Sequence, residues 1–222
     1  MTLYLISSII KTAPRAPLFI MIFFTGHHNT GKSTAAHYLK EKYGFCHVET
    51  GTIVRSLYIQ SGSNLAFGDW AVQHQHFFDE AIVAEINRHV KVAFQSNGGI
   101  ENVIITGNRQ IEGICYITDH IKSLNDQKNL IMFFEAEPKI LYARYLARID
   151  RPVAKITFNK FVRDLLDYDR KMGVEKIKEH AHVTIRNEGS VQAFLESVVR
   201  ELRLKGYELP AACNQSPERF FV

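Results

Sequence analysis

Cysteine is scarce in this chain: Cys46, Cys115 and Cys213 are the 3 present in 222 residues, and no two of them stand at C-x-x-C spacing. That pattern excludes a disulfide framework and a cysteine zinc site, and it suits a reducing compartment, so a cytoplasmic location is expected. A membrane-length apolar run is also missing. The early stretch LYLISSII has no basic residue ahead of it, and Lys11, Pro14, Arg15 and Pro17 follow it closely. A secretory signal needs a positive n-region, and a span needs about 20 apolar residues. Residues 1–17 are therefore read as a dispensable extension, with Met21 a candidate start and a transit peptide the alternative. Strong charge of one sign is lacking as well: 27 Lys+Arg stand against 23 Asp+Glu, a net charge of +4. So mild and dispersed an excess argues against a nucleic-acid surface and suits a small anionic ligand. No internal repeat or low-complexity segment is present.

What the chain does contain is an alternation of apolar runs and helix-period segments, the pattern of a parallel sheet with helices on both faces. Buried strands are expected at FIMIFFTG (19–26), FCHVE (45–49), NVIITG (102–107), NLIMFFEAE (129–137) and HVTIRN (182–187). Helices are expected over 32–44, 69–99, 111–124, 138–149, 158–173 and 190–206. A basic, proline-bearing break, DRPVAK, separates two of these helices, and the residues after Gly206 carry no period. The domain is thus read as 18–206, followed by a tail over 207–222.

The first strand runs into FTGHHNTGKST, whose frame of Gly26, four residues, Gly31, Lys32 and Ser33 is G-x-x-x-x-G-K-[ST]. In such a loop successive backbone N–H groups form a concave nest, the following helix points its positive end inward, and the lysine bridges the terminal phosphates. The expected nucleotide-binding residues are Gly26, His27, His28, Asn29, Thr30, Gly31, Lys32, Ser33 and Thr34, with the Ser33 hydroxyl on Mg²⁺. His27 and His28 stand at variable positions of the loop. They are read as filler facing solvent or an adjoining cleft, with a phosphate contact or a pH response as the alternative. A strand-loop-helix of this kind binds ATP or GTP. The guanine-reading motif N-K-x-D is absent, and NDQK at 125–128 does not supply it. His74 and His76 stand at i, i+2, which does not place them on one helix face, so no metal site is expected there.

Past the second strand, Thr50-Gly51-x-x-x-Arg55 resembles the Ser/Thr-Gly-x-x-x-Arg segment of the P-loop nucleoside monophosphate kinase superfamily, adenylate kinase among them. Thr106-Gly107-Asn108-Arg109 resembles the Asp-Gly-x-Arg that ends the third strand in those kinases, with threonine in place of the aspartate. The segment from Tyr142 through Arg144, Arg148 and Arg151, then FVRDLLDYDRKMG and Ile185-Arg186-Asn187, resembles the C-terminal half of dephospho-CoA kinase. Together these landmarks span roughly 21–205 of the chain.

The resemblance implies a three-layer fold with a five-stranded parallel sheet in the order 2-3-1-4-5 and a short arginine-bearing lid near 150–157. It implies an ATP-dependent phosphotransferase using Mg²⁺. Lys32 would hold the donor, Arg55 and Arg109 the acceptor's anion beside Thr50 and Gly51, and Arg148 and Arg151 would close over the transferring group. Arg144 is expected on adenine or phosphate. Glu49 is the candidate substitute for the missing aspartate, and a possible base. The acceptor would be a nucleotide-like small molecule, a nucleoside monophosphate or dephospho-CoA, with neither nucleic acid nor membrane as partner and a monomer or homodimer as the assembly. The alternative is a nucleotide-binding, ATPase-like module that has lost transfer activity, suggested by Thr106.

Overall fold

The computed structural model describes residues 20–97, 102–121, 129–148, 155–207 and 209. The N-terminal extension, Arg151, most of the expected lid and most of the tail lie outside the described residues.

Five strands form one parallel sheet: β1 (Ile20–Gly26), β2 (Cys46–Glu49), β3 (Asn102–Thr106), β4 (Leu130–Glu135) and β5 (Val183–Arg186). Their spatial order is β2-β3-β1-β4-β5, as the resemblance implied. The central strand reads IMIFFTG, and alternation divides its side chains between two cores. Ile22 and Phe24 point into one core with Ala35, Ala36 and Leu39 of α1 (Lys32–Tyr43) and Phe194, Val198 and Leu202 of α10 (Val191–Leu204). Met21 and Phe23 point into the other, against Ile82, Ile86 and Val90 of α4 (Gln75–Asn97) and Ile114 and Ile117 of α5 (Ile111–His120). Tyr207 and Leu209 pack against the first core, so the beginning of the expected tail is part of the domain.

Register decides where the chemistry sits. Phe24 of β1 lies opposite Thr106, and Glu49 of β2 lies opposite Thr106 from the other side. The C-terminal ends of β1, β2 and β3 are therefore level, and the loops that leave them share one crevice, the usual ligand position in open α/β sheets.

The helices depart from the expected ranges at four places. The segment 50–61 forms a full helix, α2 (Thr50–Ser61), that begins directly at the end of β2. The helix expected over 69–99 is broken at His74 into α3 (Phe67–Gln73) and α4, and the His74 imidazole Nδ1 lies 2.8 Å from the Trp70 carbonyl at the break. The helix expected over 158–173 contains a π turn, Val162–Leu166, between α7 (Phe158–Phe161) and α8 (Asp167–Met172). It ends on Gly173, whose φ of 97° permits the turn into α9 (Val174–Glu179). The remaining helix, α6, spans Pro138–Leu146, shorter than expected. Among the described residues no helix is long and apolar enough to cross a membrane.

Candidate functional site

A cavity of about 710 Å³ occupies that crevice. On one side it meets the phosphate loop through His28, Asn29, Lys32 and Ser33; on the other it meets Glu49, Thr50, Gly51 and Arg55 of β2 and α2. Thr106, Gly107 and Arg109 close the third side, Arg148 and Tyr168 stand at its edge, and Val54, Phe67, Phe78 and Ile82 give it an apolar wall. Of the expected site residues, Arg148 included, the fold thus assembles ten around one space. Gly26, His27, Thr30, Gly31, Thr34 and Arg144 do not line it.

The loop's shape is enforced from behind. Gly26 has φ 123°, and a Cβ there would stand 2.1 Å from the Phe134 carbonyl oxygen. Gly31, the residue before α1, has φ 94°, and its Cβ would meet Asn187 Nδ2 at 2.7 Å. Only glycine fits either place. Asn187, buried after β5, donates to the Thr30 carbonyl at 3.0 Å. Arg144 donates to the Asn187 carbonyl (3.0 Å) and to its Oδ1 (3.1 Å), and reaches the Asn29 carbonyl at 3.5 Å. Its guanidinium thus buttresses the loop, where adenine or phosphate contact was expected. Arg148 reaches Asn29 Oδ1 at 3.4 Å.

Lys32 folds back on its own loop, donating to the carbonyls of Gly26 (2.9 Å) and His27 and to Thr30 Oγ1 (3.2 Å). Burial is the main cause that pushes its pKa down to about 7, with the Arg109 guanidinium adding to the effect against Asp169 and Glu49. Its three acceptors are all neutral, so burial of the ammonium is not offset by a directly bonded carboxylate.

The two histidines are not filler. His28 faces the cavity, but its main-chain N–H and its Nδ1 both reach Asp169 Oδ2 at 2.8 Å. His27 places Nδ1 3.4 Å from the same oxygen and Nε2 2.8 Å from Glu175. Asp169, from α8, is wholly buried. Its burial would raise its pKa, yet His27, His28 and Arg109 outweigh that and hold the carboxyl well below the usual range. Arg109 contributes an ion pair, Nε to Oδ1 at 3.1 Å. His28 is driven down to about 4, first by burial and then by Arg109. His27 goes the other way: hydrogen bonds to Asp169 and Glu175 overcome burial and raise it. Asp169 is the site residue that the sequence reading missed. The Arg163–Asp164 pair of the same segment bonds to itself at the surface.

On the acceptor side, Arg55 stands 3.5 Å from Glu49 and donates to Thr52 Oγ1 at 3.3 Å. Gly107 has φ 99°, and a Cβ there would meet Thr50 Oγ1 at 2.6 Å and the Gly51 nitrogen at 2.9 Å, so β3 and α2 touch through glycine. Thr50 donates to the Thr106 carbonyl at 3.0 Å. Thr106 Oγ1 is engaged by His47 Nε2 at 2.9 Å. Burial, then His37 and Lys40, pushes His47 down to about 4.

Among the described residues no group of three or more His, Cys, Asp or Glu could hold a metal ion by itself. Ser33 lines the cavity with Glu49 and Asp79, all hard oxygen donors. Oxygen donors of this kind are the type that suits Mg²⁺.

A family model described as an AAA domain matches residues 25–157, more than half of the 222. No curated protein matches the chain. Among solved structures it is similar to a shikimate kinase from Bacteroides thetaiotaomicron, at 15% identity and TM-score 0.56, over 85% of this chain and 99% of that one. A sugar kinase from Janibacter sp. HTCC2649 is similar at 10% identity and TM-score 0.52, over 83% of this chain and 95% of that one. A gluconokinase from Sinorhizobium meliloti 1021 is similar at 12% identity and TM-score 0.52, over 86% of this chain and all of the other, 100%. At these identities the likeness is one of fold.

Proposed function

We propose, from the premise that this chain belongs to the AAA domain family, that it is an ATP-dependent phosphotransferase acting on a small-molecule acceptor. The observation that carries the reading is one cavity lined both by Lys32 and Ser33 of the phosphate loop and by Arg55 and Arg109 from the segments that follow β2 and β3. Two anion sites within one cavity are what in-line transfer between two bound molecules requires. The names of the structural neighbours, all kinases of small molecules, support the same class.

In this reading the loop amides and Lys32 bind the donor's terminal phosphates, and Ser33 holds Mg²⁺, which when bound neutralises charge on those phosphates. Arg55 and Arg109 orient the acceptor against the donor, and Thr50 and Gly51 place the positive end of α2 beside them. Arg148, and Arg151 from the expected lid, bring further positive charge to the equatorial oxygens as the transferring group loses its partner. The aliphatic and aromatic wall excludes water, which would otherwise compete as acceptor. The acceptor is read as nucleotide-like, a nucleoside monophosphate or dephospho-CoA.

ADP release from Mg-ATP, measured across nucleoside monophosphates, dephospho-CoA, shikimate and gluconate, tests this reading. One acceptor should stimulate release strongly over ATP alone, and Lys32→Ala should abolish the stimulation. If none does, the kinase reading fails.

A second reading has its own observation. Where the resembled kinases carry an aspartate, Thr106 is bonded to His47 and supplies no carboxylate. A nucleotide-binding module without transfer activity would bind ATP tightly, turn nothing over, and remain inert after Thr106→Asp.

A further inference from the structure

Resting on the phosphotransfer reading, we propose that Asp169 is a positioning residue: through His28 it sets where Arg109 presents its guanidinium, and so ties the acceptor's anion site to the phosphate loop. Asp169 does not line the cavity, whereas His28 and Arg109 both do.

The three residues come from three places in the chain: the loop after β1, the turn after β3, and α8. Each touches the other two. Asp169 Oδ2 accepts the His28 main-chain N–H, and the His28 Nδ1 contact is equally short at 2.8 Å. Asp169 Oδ1 faces Arg109 Nε at 3.1 Å. Arg109 Nη2 stands 2.6 Å from His28 Nε2. A guanidinium has donors only, so Nε2 must offer a lone pair, and the ring's single proton must sit on Nδ1, facing the carboxylate. Chemistry therefore permits one assignment of protons around the triangle.

The consequence for Arg109 is that two of its nitrogens are fixed, one by a buried charge and one by a ring that the same charge orients. Tyr168, next to Asp169 in the chain, lies under the guanidinium with its ring centroid 5.5 Å from Cζ. Asp169 Oδ1 has no hydrogen bond of its own and is held by the Arg109 ion pair alone, so any slip of the guanidinium leaves a buried charge unpaired. The same carboxylate grips a loop amide, so movement of the acceptor arginine and of the loop is coupled. The other charged groups facing the triangle are Lys32, from the loop side, and His27, itself paired with Glu175.

The test uses Trp70, the 1 tryptophan of the chain. It is buried beside Phe78 and Ala71, which line the cavity. Inorganic phosphate is titrated into the full-length protein holding Mg-ADP, and Trp70 fluorescence is recorded. Arg109→Ala should weaken phosphate by about tenfold or more, the effect of losing a charge-assisted contact. Asp169→Asn should weaken it comparably, and the double variant should be no weaker than Arg109→Ala alone, since both act on one contact. Phosphate affinity within twofold of wild type in Asp169→Asn, or multiplicative losses in the double variant, overturns the proposal. A second measurement leaves Asp169 intact: ¹⁵N-histidine spectra of the wild-type protein should show His28 with its proton on Nδ1 and a bare Nε2. A proton on Nε2 overturns the proposal equally. Failure of the kinase reading shows separately, as acceptors that leave ADP release unchanged.

Discussion

Lys32 should take up a proton when nucleotide binds. Without ligand its ammonium is surrounded by carbonyls and removed from water, which lowers its pKa from the ordinary 10.5 to about 7. That depression corresponds to about 5 kcal/mol of penalty on the charged form. A triphosphate in the loop brings several negative charges close to Nζ and removes the penalty, so the bound state carries a full ammonium. At pH 8 about one tenth of the free lysine is charged, and binding should take up roughly 0.9 proton; at pH 6 the uptake should fall to about 0.1. Calorimetric titration of Mg-AMPPNP in buffers of different ionisation enthalpy reads the number directly. Lys32→Met should abolish it, whereas His27→Gln should leave it in place. An uptake near zero at pH 8 in the wild type would refute the reasoning, because the lysine would then be charged already and its burial compensated.

The remaining expectations concern the shell around that loop. His28 and His47 both fall from 6.5 to about 4 in the fold. Their neutral forms thus contribute stability that is complete above pH 6.5 and lost as pH falls toward 4, up to about 3 kcal/mol each; urea midpoints measured between pH 7 and pH 4 should decline accordingly, and replacing both with glutamine should flatten the decline. His27, whose pKa is raised, opposes this trend by gaining stability as it protonates. Arg144→Ala should weaken ATP and inorganic tripolyphosphate alike, by about tenfold, because it removes hydrogen bonds to Asn187 that brace the loop; a loss confined to ATP would mean adenine stacking after all. Gly107→Ala, at φ 99° with Thr50 Oγ1 2.6 Å from the new methyl, should cost about 1–3 kcal/mol in urea unfolding and displace α2 from the acceptor wall.

The strand, loop and helix from Ile20 to Tyr43 were legible because every local signal agreed: an apolar run, two glycines at fixed spacing, then a helix period. Arg55 and Arg109 were legible through their place in an ordered series of motifs, and the level ends of β2 and β3 bring them into one cavity. Asp169 was not. It lies in one expected helix with Asp164 and Asp167, at offsets of five and two residues that a regular helix face does not bring together. The π turn changes that phase. Phe161, Leu166, Asp169 and Met172 are the buried positions, a spacing of five and then three and three. One extra residue in the turn rotates Asp169 inward and leaves Asp164 outside. Nothing in composition marks such a turn, which packing imposes. The break at His74 escaped for the same reason, since the helix period runs through it. His28 was misread because its partner, Asp169, stands 141 positions away.

The most direct test of the two-anion cavity is a crystal structure with Mg-AMPPNP and inorganic phosphate bound together. The triphosphate should lie along residues 26–33 with Lys32 Nζ turned from the Gly26 carbonyl to the terminal phosphate, and the second anion should sit between Arg55 and Arg109. Nucleotide bound away from that loop, or phosphate bound elsewhere with Arg55 and Arg109 untouched, would contradict the account.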